Sequence, residues 1–213
     1  MPSFDFSEQA LSALRRSVRD GLTEYRFRHI AEVERMIARL GALYLPSDLP
    51  RLRAAALLHD FTKELSAEEH EKILRSHGIL LTDEDRLSPK LYHAVTAALT
   101  IPEAYPHLAD DEIVRAVRYH TTGRAGITVF EMLLYLADYI DESRTFESCV
   151  QLRNAFWDAE PHRMDEEARM KHLLRVLVQS VDRTVSALVA EGSPISADSI
   201  EMRNDLLCRL ARL

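Results

Sequence analysis

The sequence predicts an all-α protein, and three features of the chain support that prediction. Only 6 of its 213 residues are glycine, less than half the usual share of roughly 7%, which leaves few positions for the tight turns of an all-β protein. Apolar residues recur at helical spacing along almost the whole chain. Two pairs, Ser66 with Glu69 and Thr128 with Glu131, have the spacing of capping boxes at helix starts.

The predicted helices follow one another through short connections. In chain order they run over about 7–20, 23–41, 54–58, 66–78, 89–102, 110–120, 128–138, 148–157, 165–191 and from 196 onward. There is no internal repeat, low-complexity tract or linker long enough to separate domains. The sequence therefore predicts one helical bundle with a substantial core.

Capping and helix-breaking residues set the helix boundaries. Gly41 is expected to end the second helix, and Pro102 to close the helix that Ser88 and Pro89 begin. The run 54–58 (AAALL) is apolar on every side, which is typical of a helix that is buried all round.

The charge balance argues against two broad classes of partner. The chain carries 27 Lys and Arg against 34 Asp and Glu, a net charge of −7, whereas general nucleic-acid binders need basic faces. The longest run without a charged residue, 91–102, is shorter than the ~20 apolar residues that cross a bilayer. We expect neither a nucleic-acid nor a membrane partner.

Cysteine usage and the start of the chain indicate a cytoplasmic protein. Cys149 and Cys208 lack the CxxC spacing of a zinc site and do not form the framework of a disulfide scaffold. Residues 1–10 are acidic and lack the basic and apolar regions of an export signal.

Residues that can bind a metal stand on or beside the apolar faces of five separate helices. His59 and Asp60 directly follow the apolar run 54–58, where a carboxylate is costly to bury without a cation or hydrogen bonds. The same feature recurs in four other helices, at His29, His93, His120 and Asp138. Any one of these is more often a hydrogen-bonded core residue, but together they favour a shared site. Mixed imidazole and carboxylate ligands suit Fe, Mn, Co, Ni or Zn.

The sequence strings around these residues narrow the interpretation. The strings are RFRH (26–29), LLHDFTKE (57–64), HTTGRAG (120–126) and ADYI (137–140). In this order they resemble the bacterial HD-domain family of symmetrical bis(5'-nucleosyl)-tetraphosphatases, which hydrolyse diadenosine tetraphosphate to two ADP. The His-Asp pair alone is a weak motif, whereas the pair combined with the HTTGRAG loop is a specific one.

The resemblance covers roughly residues 23–207 and implies a single HD-domain helical bundle there. Residues 1–22 then form an N-terminal helical extension, and 208–213 a C-terminal tail. The chain departs from the family pattern at Ala94, where a glycine is expected, and at Asp141-Glu142, where Glu-Pro is expected.

The resemblance also implies two metal ions that share Asp60. One ion would take His29, His59, Asp60 and Asp138, and the second would take His93, His120 and Asp60. A hydroxide between two such ions, ~3.5–4 Å apart, is a nucleophile near neutral pH. It would attack a phosphorus of the polyphosphate chain, with ADP leaving. Iron is the metal expected first, with Mn, Co, Ni or Zn as alternatives.

Local cations must hold the polyanionic substrate, because the protein as a whole is acidic. Lys63 is expected to stabilise the transferring phosphate or to protonate the leaving group, so we count it with Asp60 as catalytic. Arg124 is expected to clamp phosphate oxygens bidentately. The further substrate-binding candidates are Thr121, Thr122 and Gly123 and, more weakly, Arg26, Arg28 and Arg144.

The remaining histidines and the aromatic pair receive structural interpretations. We expect a surface position for His70, His77, His107, His162 and His172. Phe156 and Trp157 could stack on a base, but an aromatic pair in a helix is more often core packing.

Two other functions remain open at this point. One is an HD phosphohydrolase acting on deoxynucleotides, cyclic dinucleotides or guanosine tetraphosphate; members with a single metal would leave His93 and His120 unexplained. The other is a nucleotide-binding sensor without turnover. The expected partner is a small nucleotide, and a homodimer is left open.

Overall fold

Helices make up the whole of the regular structure in residues 4–213, the part of the chain that the computed structural model describes. The α-helices are α1 (Glu8–Asp20), α2 (Glu24–Tyr44), α3 (Leu49–Leu58), α4 (Ala67–Ser76), α5 (Asp83–Leu87), α6 (Tyr92–Ala104), α7 (Asp111–Tyr119), α8 (Val129–Ile140), α9 (Glu147–Asp158), α10 (Glu166–Glu191) and α11 (Ala197–Leu210). The all-α prediction is confirmed. Residues 1–3 lie outside the described residues, so the prediction is not tested there.

Side-chain caps start several helices at the predicted positions. Both predicted capping boxes form, with Ser66 capping α4 and Thr128 capping α8. A third box, formed by Thr82 and Asp85, starts α5, a helix that the sequence analysis missed. Its sequence, DEDRL, is too short and too polar to show an apolar stripe, so only the cap marks it.

Two predicted helix ends are wrong. The second helix continues past Gly41 to Tyr44, because this glycine serves packing rather than termination: a Cβ there would lie 2.8 Å from Leu52 Cδ1 of α3. The α6 helix likewise continues through Pro102 to Ala104. A proline so close to the end removes one backbone hydrogen bond from the last turn and leaves the rest of the helix intact.

The core is built around α3, and it positions the ends of five helices at one place. Residues 54–58 of α3 are fully buried, as predicted, and α1, α2, α7 and α8 pack around them. Helix α1 lies against this core through Leu11, Leu14 and Val18. Helix α11 packs on α10 and runs to Leu210, so residues 208–210 of the expected tail are helical.

Within residues 4–213, no helix combines the length and the apolar composition that crossing a membrane requires.

Candidate metal centre

All six predicted metal ligands meet at one buried place between α2, α3, α6, α7 and α8. Two histidines occupy helix C-caps, His59 after α3 and His120 after α7. The others are Asp60 directly after His59, His29 in α2, His93 in α6 and Asp138 in α8. Helix ends bring the side chains together because the helices themselves pack around α3.

Asp60 lies at the middle of the centre, and its two oxygens face different histidines. Oδ1 is 3.1 Å from His93 Nε2 and 3.7 Å from His120 Nε2. Oδ2 is 3.7 Å from His59 Nε2 and 3.8 Å from His29 Nε2. This arrangement suits a carboxylate that is shared between two cations.

Asp138 completes the group on the α2 side. Its Oδ1 lies 3.0 Å from His29 Nε2 and 3.8 Å from His59 Nε2. Two sets of three residues therefore each offer ligand atoms within 4.8 Å of one another: His29, His59, Asp138 and His59, Asp60, His120.

Backbone carbonyls fix the tautomers of three histidines. In His59, His93 and His120, Nδ1 lies 2.6–2.8 Å from the carbonyl oxygen of the residue three positions earlier. A carbonyl can only accept, so Nδ1 carries the proton and Nε2 keeps the lone pair in the neutral ring. The Nε2 atoms of all three rings point at the Asp60 carboxylate.

One buried atom at the centre tests whether the residues fit a metal. His59 is fully buried, and its Nε2 has no hydrogen-bond partner within residues 4–213. A buried polar atom without a partner costs about 1–3 kcal/mol, and a bound cation would satisfy it. The donor set of imidazole nitrogens and carboxylate oxygens fits a transition metal.

The protonation states of the ligands also favour metal binding. Burial lowers the pKa of His59 and of His93 to about 4, so both rings are neutral at neutral pH. Burial alone would raise the pKa of Asp60, but the charged and hydrogen-bonding groups around it, Lys63 among them, outweigh burial and hold the pKa well below its usual range. Metal ligands must be neutral imidazoles and ionised carboxylates.

His29 differs from the other histidines because carboxylates surround it. Burial tends to lower its pKa, but contacts with Asp138 and Asp141 outweigh burial and raise the pKa to about 9. A cation at His29 Nε2 must therefore displace a proton.

Asp141 supports His29 from behind and was not identified from the sequence. Its Oδ2 lies 3.4 Å from His29 Nδ1, and Ser143 Oγ lies 3.2 Å from the same nitrogen. Asp141 is fully buried and also lies 3.4 Å from Arg144 Nε. In the sequence it was visible only as a departure from the family pattern. A carboxylate behind a ligating histidine raises the ring's basicity and fixes its orientation.

Three cations lie at the rim of the centre. Lys63 Nζ is 3.0 Å from His93 Nε2 and 3.9 Å from Asp60 Oδ1. Arg26 Nη1 donates to Asp60 Oδ2 at 2.7 Å, and Arg144 Nη2 donates to Asp138 Oδ1 at 2.5 Å. Burial lowers the pKa of Lys63. Arg28, by contrast, is exposed and has no ion-pair partner in the described part of the chain.

The structure gives Arg124 a different environment from the predicted phosphate clamp. Its Nε and Nη2 donate to the two oxygens of Glu131 at 3.0 and 2.9 Å, and its Nη1 donates to Ala125 O at 3.0 Å. Glu131 is 1% exposed, and a buried carboxylate of this kind needs its partner. The bidentate geometry expected toward phosphate is thus already used within the protein.

The loop after His120, residues 121–127, borders the centre directly. Thr121 Oγ1 is 3.4 Å from His93 Nε2. Thr122 is buried, and its hydroxyl donates to Gly123 O. Gly123 has φ +66°, and a Cβ there would lie 1.8 Å from Met202 Sδ, so no other residue fits without repacking.

Helix α11 holds this loop from outside. Ser199 Oγ donates to Thr122 O at 2.9 Å, and Asp205 Oδ2 accepts from Gly126 N at 3.0 Å. Arg209 Nη1 donates to the carbonyl oxygen of Ile127 at 2.8 Å. Together with Met202, these residues lie on successive turns of α11 and contact successive parts of the loop.

Two of the five histidines that were expected at the surface are not exposed. His70 is 5% exposed, and its Nδ1 lies 2.9 Å from Thr96 Oγ1, because α4 packs against α6. His172 is half-buried and pairs with Phe156 O. The other three, His77, His107 and His162, are exposed as predicted.

The aromatic pair packs as predicted. Phe156 is fully buried in the core. Trp157 is partly buried, with the guanidinium of Arg39 4.0 Å from its ring centroid.

The fold and this centre define a class of protein: an all-α hydrolase domain that gathers a histidine–aspartate pair and further histidines at helix ends. Residues 26–143 match the HD domain family, and the chain belongs to that family. All six predicted ligands lie within the matched residues, whereas α9, α10 and α11 lie beyond them.

Three curated relatives of this chain carry the same name. A protein of Bacillus subtilis, "Bis(5'-nucleosyl)-tetraphosphatase, symmetrical", is 28% identical over 200 residues, covering 94% of this chain and 97% of the relative. Proteins of the same name from Halalkalibacterium halodurans (28%; 89% of this chain and 93% of the relative) and Staphylococcus aureus (30%; 66% and 71%) also match. The resemblance predicted from the motifs is confirmed.

A solved structure has the same fold. The predicted HD-superfamily hydrolase involved in NAD metabolism from Clostridium acetobutylicum is 27% identical, with a TM-score of 0.78 over 93% of this chain and 97% of that chain.

Proposed function

We propose that this HD-domain hydrolase cleaves diadenosine tetraphosphate and related dinucleoside polyphosphates symmetrically to two nucleoside diphosphates. The observation that carries the proposal is the position of Asp60, whose two oxygens face two different pairs of histidines. That geometry supports a two-metal centre, and two-metal centres suit the hydrolysis of phosphoanhydrides. The names of the curated relatives support the substrate.

We assign the ligands in two sets that share Asp60. His29, His59 and Asp138 would hold one ion with it, and His93 and His120 the other. When bound, the two ions would activate a water for attack and neutralise charge on the phosphoryl oxygens. Iron is our first choice of metal.

The protein's own cations would hold and orient the phosphate chain. Lys63, beside His93 and Asp60, is placed to donate to the transferring phosphate or to the leaving oxygen. Arg26 contributes a second donor from α2, and its Nε is buried without a hydrogen-bond partner in residues 4–213. Positioning and charge neutralisation supply most of the acceleration in phosphoryl transfer.

The loop after His120 would add neutral donors. The Thr121 hydroxyl lies at the edge of the centre, and Thr122 and Gly123 shape the backbone beside it. We give Arg124 a structural role, which is to hold this loop against Glu131, and leave Arg28 as an exposed charge.

Charge complementarity explains how an acidic protein can attract a polyanion. The carboxylates of the centre are balanced by the cations at its rim: Asp60, Asp138 and Asp141 against Lys63, Arg26 and Arg144. Divalent ions would then give the centre a local positive charge. The excess of acidic residues that gives the chain its net charge of −7 lies outside the centre.

The deciding experiment separates the products of diadenosine tetraphosphate. We expect metal-replete protein to give ADP alone, and Asp60→Ala protein purified in parallel to give no product. AMP together with ATP would contradict symmetrical cleavage. Metal analysis of the same preparation should find two ions per chain; one ion per chain in fully active protein would contradict the two-metal assignment.

The name of the structural relative favours a second candidate, a nucleotide of NAD metabolism. NAD and the other alternative nucleotides, including deoxynucleotides, cyclic dinucleotides and guanosine tetraphosphate, should be assayed beside the tetraphosphate. A higher kcat/KM for one of these would replace our substrate. Tight nucleotide binding without any turnover would favour a sensor.

The remaining assignments are also proposals. We keep residues 1–22 as an extension, 23–207 as the HD-domain bundle and 208–213 as the tail. We propose a cytoplasmic protein because its two cysteines are unpaired. The partner would be a nucleotide, and light scattering would decide between a monomer and a homodimer.

A further inference from the structure

We propose that the cavity between α8, α9 and α10, beside Asp138, binds one base of the nucleotide substrate by stacking it on Phe146. The proposal rests on the proposed nucleotide hydrolysis and deepens it, because it says where a nucleoside lies relative to the metal ligands.

The cavity begins at the metal centre. Its lining includes Asp138, His120 and Thr121 of the centre, together with Arg144 and the exposed Phe146. Its volume is about 230 Å³, which is less than the ~300–1,000 Å³ of sites for drug-sized ligands. It therefore suits one base or nucleoside and not a whole dinucleotide, whose phosphates would extend toward the ligand cluster.

The walls have the chemistry of a base site. Tyr135 and Tyr139 stand one turn apart on α8, on the same face as Asp138, so the helix that supplies the metal ligand also supplies the aromatic wall. Cys149 is 8% exposed, and burial raises the pKa of its thiol, so it acts as a small neutral wall residue. Such a surface favours a flat, uncharged ring.

Hydroxyl groups supply the polar contacts. Ser148 and Thr184 line the cavity from α9 and α10. The Thr184 hydroxyl donates to Ser180 O at 3.0 Å and so offers an acceptor to a base. The Ser148 hydroxyl can rotate and can donate or accept, so it can pair with the edge of more than one base. We therefore expect modest discrimination between adenine and guanine.

Phe146 occupies a position where a phenylalanine is unusual, and a bound ligand would explain it. It is the N-cap of α9, a position that favours Ser, Thr, Asp or Asn, and it makes no capping hydrogen bond. It is also 70% exposed, so it contributes little to the core. An aromatic side chain that neither caps nor packs, at the mouth of a cavity leading to metal ligands, is placed for stacking.

Arg144 links the base site to the reaction centre. Its Nε donates to Asp138 O at 3.0 Å and its Nη2 to Asp138 Oδ1, and it lines the cavity. A phosphate chain passing from the cavity to the metal ligands must pass this guanidinium.

The test measures binding of ADP and of pyrophosphate by titration calorimetry, with the full-length protein and Mn²⁺. We expect Phe146→Ala to weaken ADP binding roughly five- to 150-fold, the range for loss of one base–aromatic stack. Pyrophosphate has no base, so its affinity should stay within about twofold. Phe146→Trp should restore ADP binding. Phe4→Ala, at a 40% exposed phenylalanine of the N-terminal segment, is the matched control and should bind ADP like the wild type.

Two outcomes of the binding experiment overturn the base site. Unchanged ADP binding in Phe146→Ala would place the base elsewhere. Equal losses for ADP and pyrophosphate would mean that Phe146 supports the phosphate region. The cleavage of diadenosine tetraphosphate by the wild type is assayed separately. If the wild type cleaves it but Phe146→Ala binds ADP normally, the base site is wrong and the proposed hydrolysis stands. If Phe146→Ala weakens ADP binding but the wild type does not cleave the tetraphosphate, the proposed hydrolysis is wrong and the base site stands.

Discussion

The two sides of the candidate metal centre are held in place by different means. On the side of α2 and α8, here the anionic side, His29 and Asp138 are fixed by charged side chains, Asp141 and Arg144. On the side of α6 and α7, here the imidazole side, backbone carbonyls fix the rings of His93 and His120. The loop after His120 is then held by α11.

This difference predicts which substitutions should disrupt each side. The anionic side depends on a few charges that lie close in sequence to its own ligands, so single charge deletions should damage it. The imidazole side depends on packing with the far end of the chain. A backbone carbonyl cannot be mutated away, so this side should fail through its loop.

The largest effect should come from Asp60, which belongs to both sides. Asp60→Ala removes the carboxylate that faces all four histidines. We expect loss of both ions and a fall in kcat/KM beyond the ~10²–10³-fold that removal of one transition-state contact costs. Elemental analysis and product assays measure both. Asp20→Ala, at the exposed end of α1, is the control; retention of both ions by Asp60→Ala would contradict the shared-ligand assignment.

The anionic side alone should respond to Asp141. Asp141→Ala removes the buried carboxylate behind His29 and should weaken metal binding by about 10- to 100-fold, as measured by competition with a chelator. The neighbouring Glu142 is 55% exposed in its side chain, so Glu142→Ala is a matched control that should bind metal normally. Equal affinities in the two variants would show that Asp141 does not tune this side.

The imidazole side should respond to Gly123. Alanine there meets both a positive φ and Met202, whereas Gly78, with φ +74°, has no atom within 4 Å of an added Cβ. Both variants should lose about 1–2 kcal/mol of unfolding free energy from the backbone, and Gly123→Ala about 1–3 kcal/mol more from the clash. Denaturant unfolding measures this difference. Equal losses would mean that the loop repacks without cost.

The smallest effect should come from the contact between Asp205 and Gly126. Asp205→Ala removes the hydrogen bond from Gly126 N, which should cost about 0.5–1.5 kcal/mol, and the ion pair with Arg209 at 2.7 Å, which adds about 0–1 kcal/mol. We also expect a lower occupancy of the second ion. Asp205→Asn keeps an acceptor oxygen and should recover most of both losses. Glu201→Ala, at an exposed position of α11, is the control. An occupancy that stays at the wild-type level in Asp205→Ala would separate the loop contact from metal binding.

The sequence could predict that the six candidate ligands lie together because each left a local trace. His59 and Asp60 follow the apolar run 54–58, and the capping boxes at Ser66 and Thr128 mark helix starts within a few residues. Such signals depend on neighbours in the chain, and a helical period or a cap can be read directly from the letters.

What the sequence could not predict depends on contacts between distant residues. Glycine often ends a helix, so the sequence predicts a helix end at Gly41. Only the close approach of Leu52 shows that this glycine instead allows two helices to pack together. Arg124 lies next to a ligand in sequence, but its charge is taken by the buried Glu131. His70 sits among charged residues, yet α6 covers it.

The ladder of contacts between α11 and the loop after His120 also sets an order of events during protein synthesis. Every ligand has left the ribosome long before residues 197–210, because the last of them is Asp138. The helix that holds Thr122, Gly126 and Ile127 in place is made after all six candidate ligands. A nascent chain therefore carries the six candidate ligands while the loop after His120 still lacks its support, and this side of the centre becomes ordered only after residues 197–210 have been made.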